Sequence, residues 1–189
     1  SEEFRKCKVT DSEIISPGIY YNAIFYLFSK NFFTIESITQ ISITNPYIFV
    51  FFLPEIEEYD PDYIQMREKN LFDENSDQKL KQLYEFVKQN PDKHKQYRES
   101  NYHPSLLHKS IRENNIQLFR ELFSKNNYDI NHRIEFSFYE RVSMLNSSQS
   151  FAGIAAVYGC SDIFKFLWMQ SQFNPEKSLL HYAYFGGNF

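Results

Sequence analysis

Two stretches of the chain are near copies of each other: SLLHKSIRENN at 105–115 and SLLHYAYFGGN at 178–188. A recurring phrase constrains the fold more than any bulk property, because it implies one structural unit used more than once. Ser105 and Ser178 precede an apolar run, the place where a hydroxyl caps a helix. A small residue follows the histidine at one offset in both, Ser110 and Ala183. Asn114 and Gly187 then fall where the chain must reverse, and Asn and Gly tolerate the left-handed backbone such a reversal needs.

A third stretch, FAGIAAVYGCSDIFKFLW at 151–168, carries the same signals without the same letters. Ala155 and Ala156 are its small pair and Gly159 its turn. Ile163, Phe164, Phe166 and Leu167 line a second helix, as Ile116, Leu118, Phe119, Leu122 and Phe123 do in the first copy. Helix–turn–helix units therefore start near 105, 150 and 178, and the last ends before a second helix. The unequal spacing makes 132–149 an extended finger or an inserted short helix.

Upstream, five short polar residues stand directly before proline: Ser16, Asn45, Asp60, Asn90 and Asn174. The polar side chain accepts from an orphan helix N–H, and proline at the next position gives up no bond. Each pair predicts a helix start. With apolar residues at helical spacing, such as Leu80, Leu83, Tyr84 and Val87, the pattern predicts helices near 17–30, 35–43, 46–53, 61–70, 77–90 and 91–99. IFVFFL at 48–53 reads as helix rather than buried strand, because no partner strand is in view. The five acids of EIEEYDPD at 55–62 read as solvated charge before and within a first helical turn. The expected fold is all-α, with a helical N-terminal region over 1–100 and the repeats over 101–189.

The repeats resemble the ankyrin repeat, Thr-Pro-Leu-His-x-Ala-Ala, then Gly, then a Val/Leu-rich helix. Ser105 and Ser178 replace its Thr, and His108 and His181 match its His. Ser110, Ala155 and Ala183 match the first Ala; Asn114, Gly159 and Gly187 match the Gly. NYDIN at 127–131 resembles the usual Gly-Ala-Asp-Val-Asn tail, whereas Gly153 stands where His is expected. AIFYLFSKNFFTIESI and PEIEEYDPDYI upstream add a resemblance to the degenerate ankyrin proteins of the trichomonad-type protist family, whose helical N-terminal region has no assigned role. The resemblance implies an ankyrin-type solenoid and a structural hydrogen bond for His108 and His181.

Charge and chemistry narrow the function further. Residues 1–100 hold 12 basic against 17 acidic side chains, and 101–189 hold 8 against 7, so neither half offers the basic stripe that nucleic-acid binding needs. The six-residue apolar run is too short for a membrane span, and no membrane partner is expected. Cys7 and Cys160 form no disulfide framework, which points to a reducing, cytoplasmic setting. Asn146-Ser147-Ser148 is a glycosylation triplet of a kind common by chance. His94, His103 and His132 lack metal-ligand spacing, no glycine-rich phosphate loop is present, and Cys160 opens a repeat's second helix, where small residues are ordinary. The expectation is a non-enzymatic protein-binding module with no metal, no cofactor and another protein as partner. Its binding residues are Lys109 and Arg112, then Ile154, Val157 and Tyr158, then Tyr182 and Phe185, along the exposed side of successive first helices. The alternative is a scaffold that self-associates through its N-terminal helices.

Overall fold

The computed structural model describes residues 17–71, 77–145 and 147–187; Cys7, Ser16 and Asn146 lie outside them. The described chain is mostly helical and divides into two compact units, one of Tyr20–Asn101 and one that begins at Tyr102.

The first unit contains α1 (Pro17–Ser29) from Tyr20 onward, α2 (Ile35–Thr44), α3 (Pro46–Phe51), α4 (Leu53–Tyr59), α5 (Pro61–Leu71), α6 (Gln78–Gln89) and α7 (Pro91–Ser100). IFVFFL is helical. Ile48 through Phe52 are completely buried, the signature of a helix that is apolar all round and enclosed on every side. Asn45 caps α3 as expected, its Oδ1 accepting from the N–H of Tyr47 and Ile48 at 3.1 and 3.2 Å. Asp60 Oδ1 accepts from the N–H of Tyr63 at 2.9 Å. Asn90 does not cap α7; its amide donates to the Phe86 carbonyl instead.

Helix α4 was not foreseen. Pro54 sits near its start and carries no N–H, so the chain breaks at Phe52, and Glu55, Glu57 and Glu58 ride on a helix of their own rather than preceding α5. The break leaves the Phe51 carbonyl to side chains from α7. Arg98 Nη1 donates to it at 2.9 Å, and His94 Nε2 lies 2.9 Å away. Arg98 is 1% exposed, pairs with Glu55 through both guanidinium ends at 3.0 and 2.5 Å, and lies over the rings of Phe25, Phe51 and Phe52.

The second unit contains α8 (Leu106–Arg112), α9 (Ile116–Lys125), β1 (Arg133–Ile134), β2 (Gln149–Ser150), α10 (Phe151–Tyr158), α11 (Ser161–Trp168) and α12 (Leu179–Phe185). Helix α10 packs against both α8 and α12, while α9 touches α11. The turns after α8 and α10 are the same structure 45 residues apart. Asn115 N–H donates to the Ser110 carbonyl at 2.9 Å, and Cys160 N–H donates to the Ala155 carbonyl at 2.8 Å. Asn114 and Gly159 hold the intervening left-handed position, with φ of 49° and 68°, and Gly187 follows at 71°. These are the bonds that close a helix on a left-handed residue.

Residues 132–149 form the base of a finger. Arg133 and Ile134 pair antiparallel with Ser150 and Gln149, and the intervening loop carries a 3-10 turn at Ser143–Leu145. Three sequence expectations fail here. Asn174-Pro175 starts no helix; the Asn174 N–H donates to Asn131 Oδ1 at 3.0 Å, and α12 begins four residues after the proline. Ser105 and Ser178 occupy capping positions without a capping bond from the hydroxyl, whereas Ser150 caps α10 through the Gly153 N–H at 3.1 Å. The rings of His108 and His181 make no hydrogen bond among the described residues. The Ser105 N–H, a natural partner for His108, donates to His103 Nδ1, and His181 is exposed.

Candidate interaction site

The expected binding stripe does not emerge as one open surface. Ile154 and Val157 are 1% and 6% exposed, because α10 is clamped between α8 and α12 and spends both side chains on the core. They are core residues, not contact residues. Tyr182 is half-buried and lies on Gly153, where a Cβ would meet its ring at 3.1 Å. The missing histidine of the second repeat is thus a close-approach glycine. Lys109 and Phe185 remain about half exposed. Arg112 and Tyr158 are partly covered, and the finger is what covers them.

The cover is Glu140, completely buried. Its carboxylate accepts from the backbone N–H of His103 at 3.2 Å and of Val142 at 3.0 Å, and the Tyr158 hydroxyl donates to it from 3.4 Å. Burial pushes its pKa up against the pull of those N–H groups and of Arg112. His108 lies beneath, 2% exposed, with Nε2 3.7 Å from Glu140. Burial, and then His103 and Arg112, pull the His108 pKa down to about 3. With its pKa held near 3, His108 is a neutral imidazole, so the contact with Glu140 is not an ion pair.

His103 completes the cluster. Its ring stacks on that of His108 with centroids 4.8 Å apart and planes 12° from parallel. Because Nδ1 accepts from Ser105, the proton sits on Nε2, which donates to the Glu135 carbonyl at 3.0 Å. One face of the finger is thereby tied to the start of α8 at two points. Tyr158 is raised well above the usual phenol range by burial and by Glu140.

The cluster's rim is cationic. Arg112 lies over the Tyr102 ring at 3.9 Å, and Arg141 lies over the same ring at 4.8 Å while donating to the Tyr102 hydroxyl at 2.6 Å. Tyr102, Glu140 and Arg141 were not singled out in the sequence, and His103 was weighed only as a metal ligand. For Glu140 and Arg141 the one signal was the long repeat spacing, which requires an insertion but does not say where it lands.

As chemistry, the arrangement holds the fold together more than it exposes a reactive group. The Glu140–His108 pair is sealed. Two clefts lie elsewhere, one of about 250 Å³ against Asn131, Arg133 and Phe173, the other of about 500 Å³ against Arg120, Asp162 and Phe166. Cys160 is buried, and burial raises its thiol pKa away from the reactive thiolate. Among the described residues no group of three or more His, Cys, Asp or Glu is placed to hold a metal, and no helix is long and apolar enough to cross a membrane. Comparison with protein-family models, with curated proteins and with solved structures finds no match.

Proposed function

We propose that the chain is a non-enzymatic protein-binding module whose second unit is a short, degenerate ankyrin-type solenoid, interrupted by a finger and used inside the cell. The observation that carries this reading is the repeated turn. The same pair of backbone bonds and the same left-handed residue recur after α8 and α10, with α8, α10 and α12 packed in a row. Stacked units of this kind serve as extended binding surfaces without preset chemistry. The binding face comprises Lys109 and Arg112 at one end and Tyr182 and Phe185 at the other, with Tyr158 and the finger between them. The double substitution Lys109→Ala with Phe185→Ala tests it, since both side chains are about half exposed. Capture of a partner should weaken by about tenfold or more with little change in stability. Unchanged capture would refute the face.

Self-association is the second reading, and one observation favours it. In the first unit Phe32, in the loop after α1, is 75% exposed and Tyr26 61% exposed. A mass that rises with protein concentration, and falls back on Phe32→Ser, would select this reading.

A further inference from the structure

Two guanidinium groups converge on one tyrosine. Arg112 and Arg141 lie 3.9 and 4.8 Å from the Tyr102 ring centroid, so the two cations are at most about 9 Å apart. Like charges held this close repel, unless an anion comes between them. Arg112 makes no hydrogen bond through its side chain among the described residues, and its Nη1 is buried without a partner. It forms an ion pair with half-exposed Glu113 at 3.7 Å, through an oxygen shared with Lys109 at 3.9 Å. Glu140 interacts electrostatically with Arg112, but its oxygens already accept from two backbone N–H groups and it is sealed from solvent. Arg141 is exposed and, among the described residues, has satisfied only one of its five N–H donors, on the tyrosine hydroxyl.

We propose that Tyr102, Arg112 and Arg141, with Lys109 beside them, seat the carboxylate side chains of a short acidic segment of a partner protein. Guanidinium forks match carboxylates in two-point geometry, and the tyrosine holds both forks in place before the partner arrives. Leu106, 61% exposed on the same helix as Lys109 and Arg112, supplies an apolar contact for a residue beside the acids. Three cations in a chain of net charge −4 are too few to hold a nucleic-acid backbone, which draws on many phosphate contacts. The proposal rests on the binding-face reading above and gives its basic end a ligand class.

The test uses the full chain and a fluorescein-labelled peptide, Gly-Glu-Glu-Leu-Glu-Gly, followed by fluorescence anisotropy at low salt, with Lys in place of each Glu as control. The glutamate peptide should bind and the lysine peptide should not. Arg141→Gln, at an exposed position, should weaken binding by about tenfold, the loss of one charge-assisted contact. Glu113→Gln should tighten it by removing the competing carboxylate. Absence of glutamate-peptide binding, equal binding by Arg141→Gln, displacement by free acetate at matched charge, or binding only of a phosphoserine version would each overturn the proposal. If the peptide fails while partner capture still depends on Phe185, the acidic-segment proposal falls alone and the binding face stands.

Discussion

Removing the Glu140 carboxylate should be among the most damaging single changes to the second unit. Glu140→Ala deletes the acceptor for two backbone N–H groups, those of His103 and Val142, and leaves the Tyr158 hydroxyl without its oxygen. A buried donor left unsatisfied costs about 1–3 kcal/mol, so the two amides and the cavity together predict a loss of about 3–5 kcal/mol. Glu140→Gln keeps one acceptor oxygen in the same shape and should cost about 1–2 kcal/mol. Urea denaturation of the three proteins measures both numbers, and amide exchange at His103 and Val142 locates the effect. If the alanine protein lies within about 0.5 kcal/mol of the parent, or if glutamine costs as much as alanine, the finger is not held by these bonds.

Three further outcomes follow from the same contacts. His94 and His108 both have pKa values depressed to about 3, so the unfolded chain takes up protons below pH 6.5 while the folded chain does not; stability should fall as pH drops from about 6.5 towards 3, by up to ~1.4 kcal/mol per pH unit for each, and His94→Gln should flatten the slope seen in a pH series of urea melts of the first unit. Ser105→Ala should leave the melting temperature nearly unchanged because its hydroxyl makes no cap, Ser150→Ala should cost about 1 kcal/mol, and Gly159→Val should cost more through its left-handed φ of 68°. Arg98→Ala should cost about 3–5 kcal/mol by stranding the Glu55 carboxylate and uncovering the Phe51 carbonyl, whereas Arg98→Met, which refills the aromatic box, should recover a substantial part of that in the same denaturation assay.

Helix positions were largely legible in the sequence because their causes are local. Asn45 before Pro46 announces a start whatever surrounds it, and Asn114 and Gly159 announce their turns in the same way. The fifth polar–proline pair fails for a tertiary reason: Asn131, in the finger's base, takes the Asn174 N–H that a helix start would have left to a cap. Helix α4 was hidden because Pro54 breaks an apolar run whose period reads as one helix. Of the expected binding stripe, only the ends remain about half exposed. Helical spacing places Ile154 and Val157 on one side of α10, but which side meets a neighbour is decided by α12 and by the close approach of Tyr182 to Gly153. The buried Glu140 is least legible of all. Nothing local distinguishes it from the solvated glutamates, and its partners other than Val142 lie 18 to 37 residues away.

The central claim is that the second unit meets another protein along the row of first helices. Site-specific photo-crosslinking tests it most directly. A benzophenone side chain is placed at Lys109 or Phe185, and as a control at Lys93, an exposed position on α7 of the first unit. After irradiation in lysate from the source cell, the account predicts one discrete foreign-protein adduct shared by the Lys109 and Phe185 proteins and absent from the Lys93 protein. Adducts from Lys93 alone, or none from Lys109 and Phe185, would contradict it.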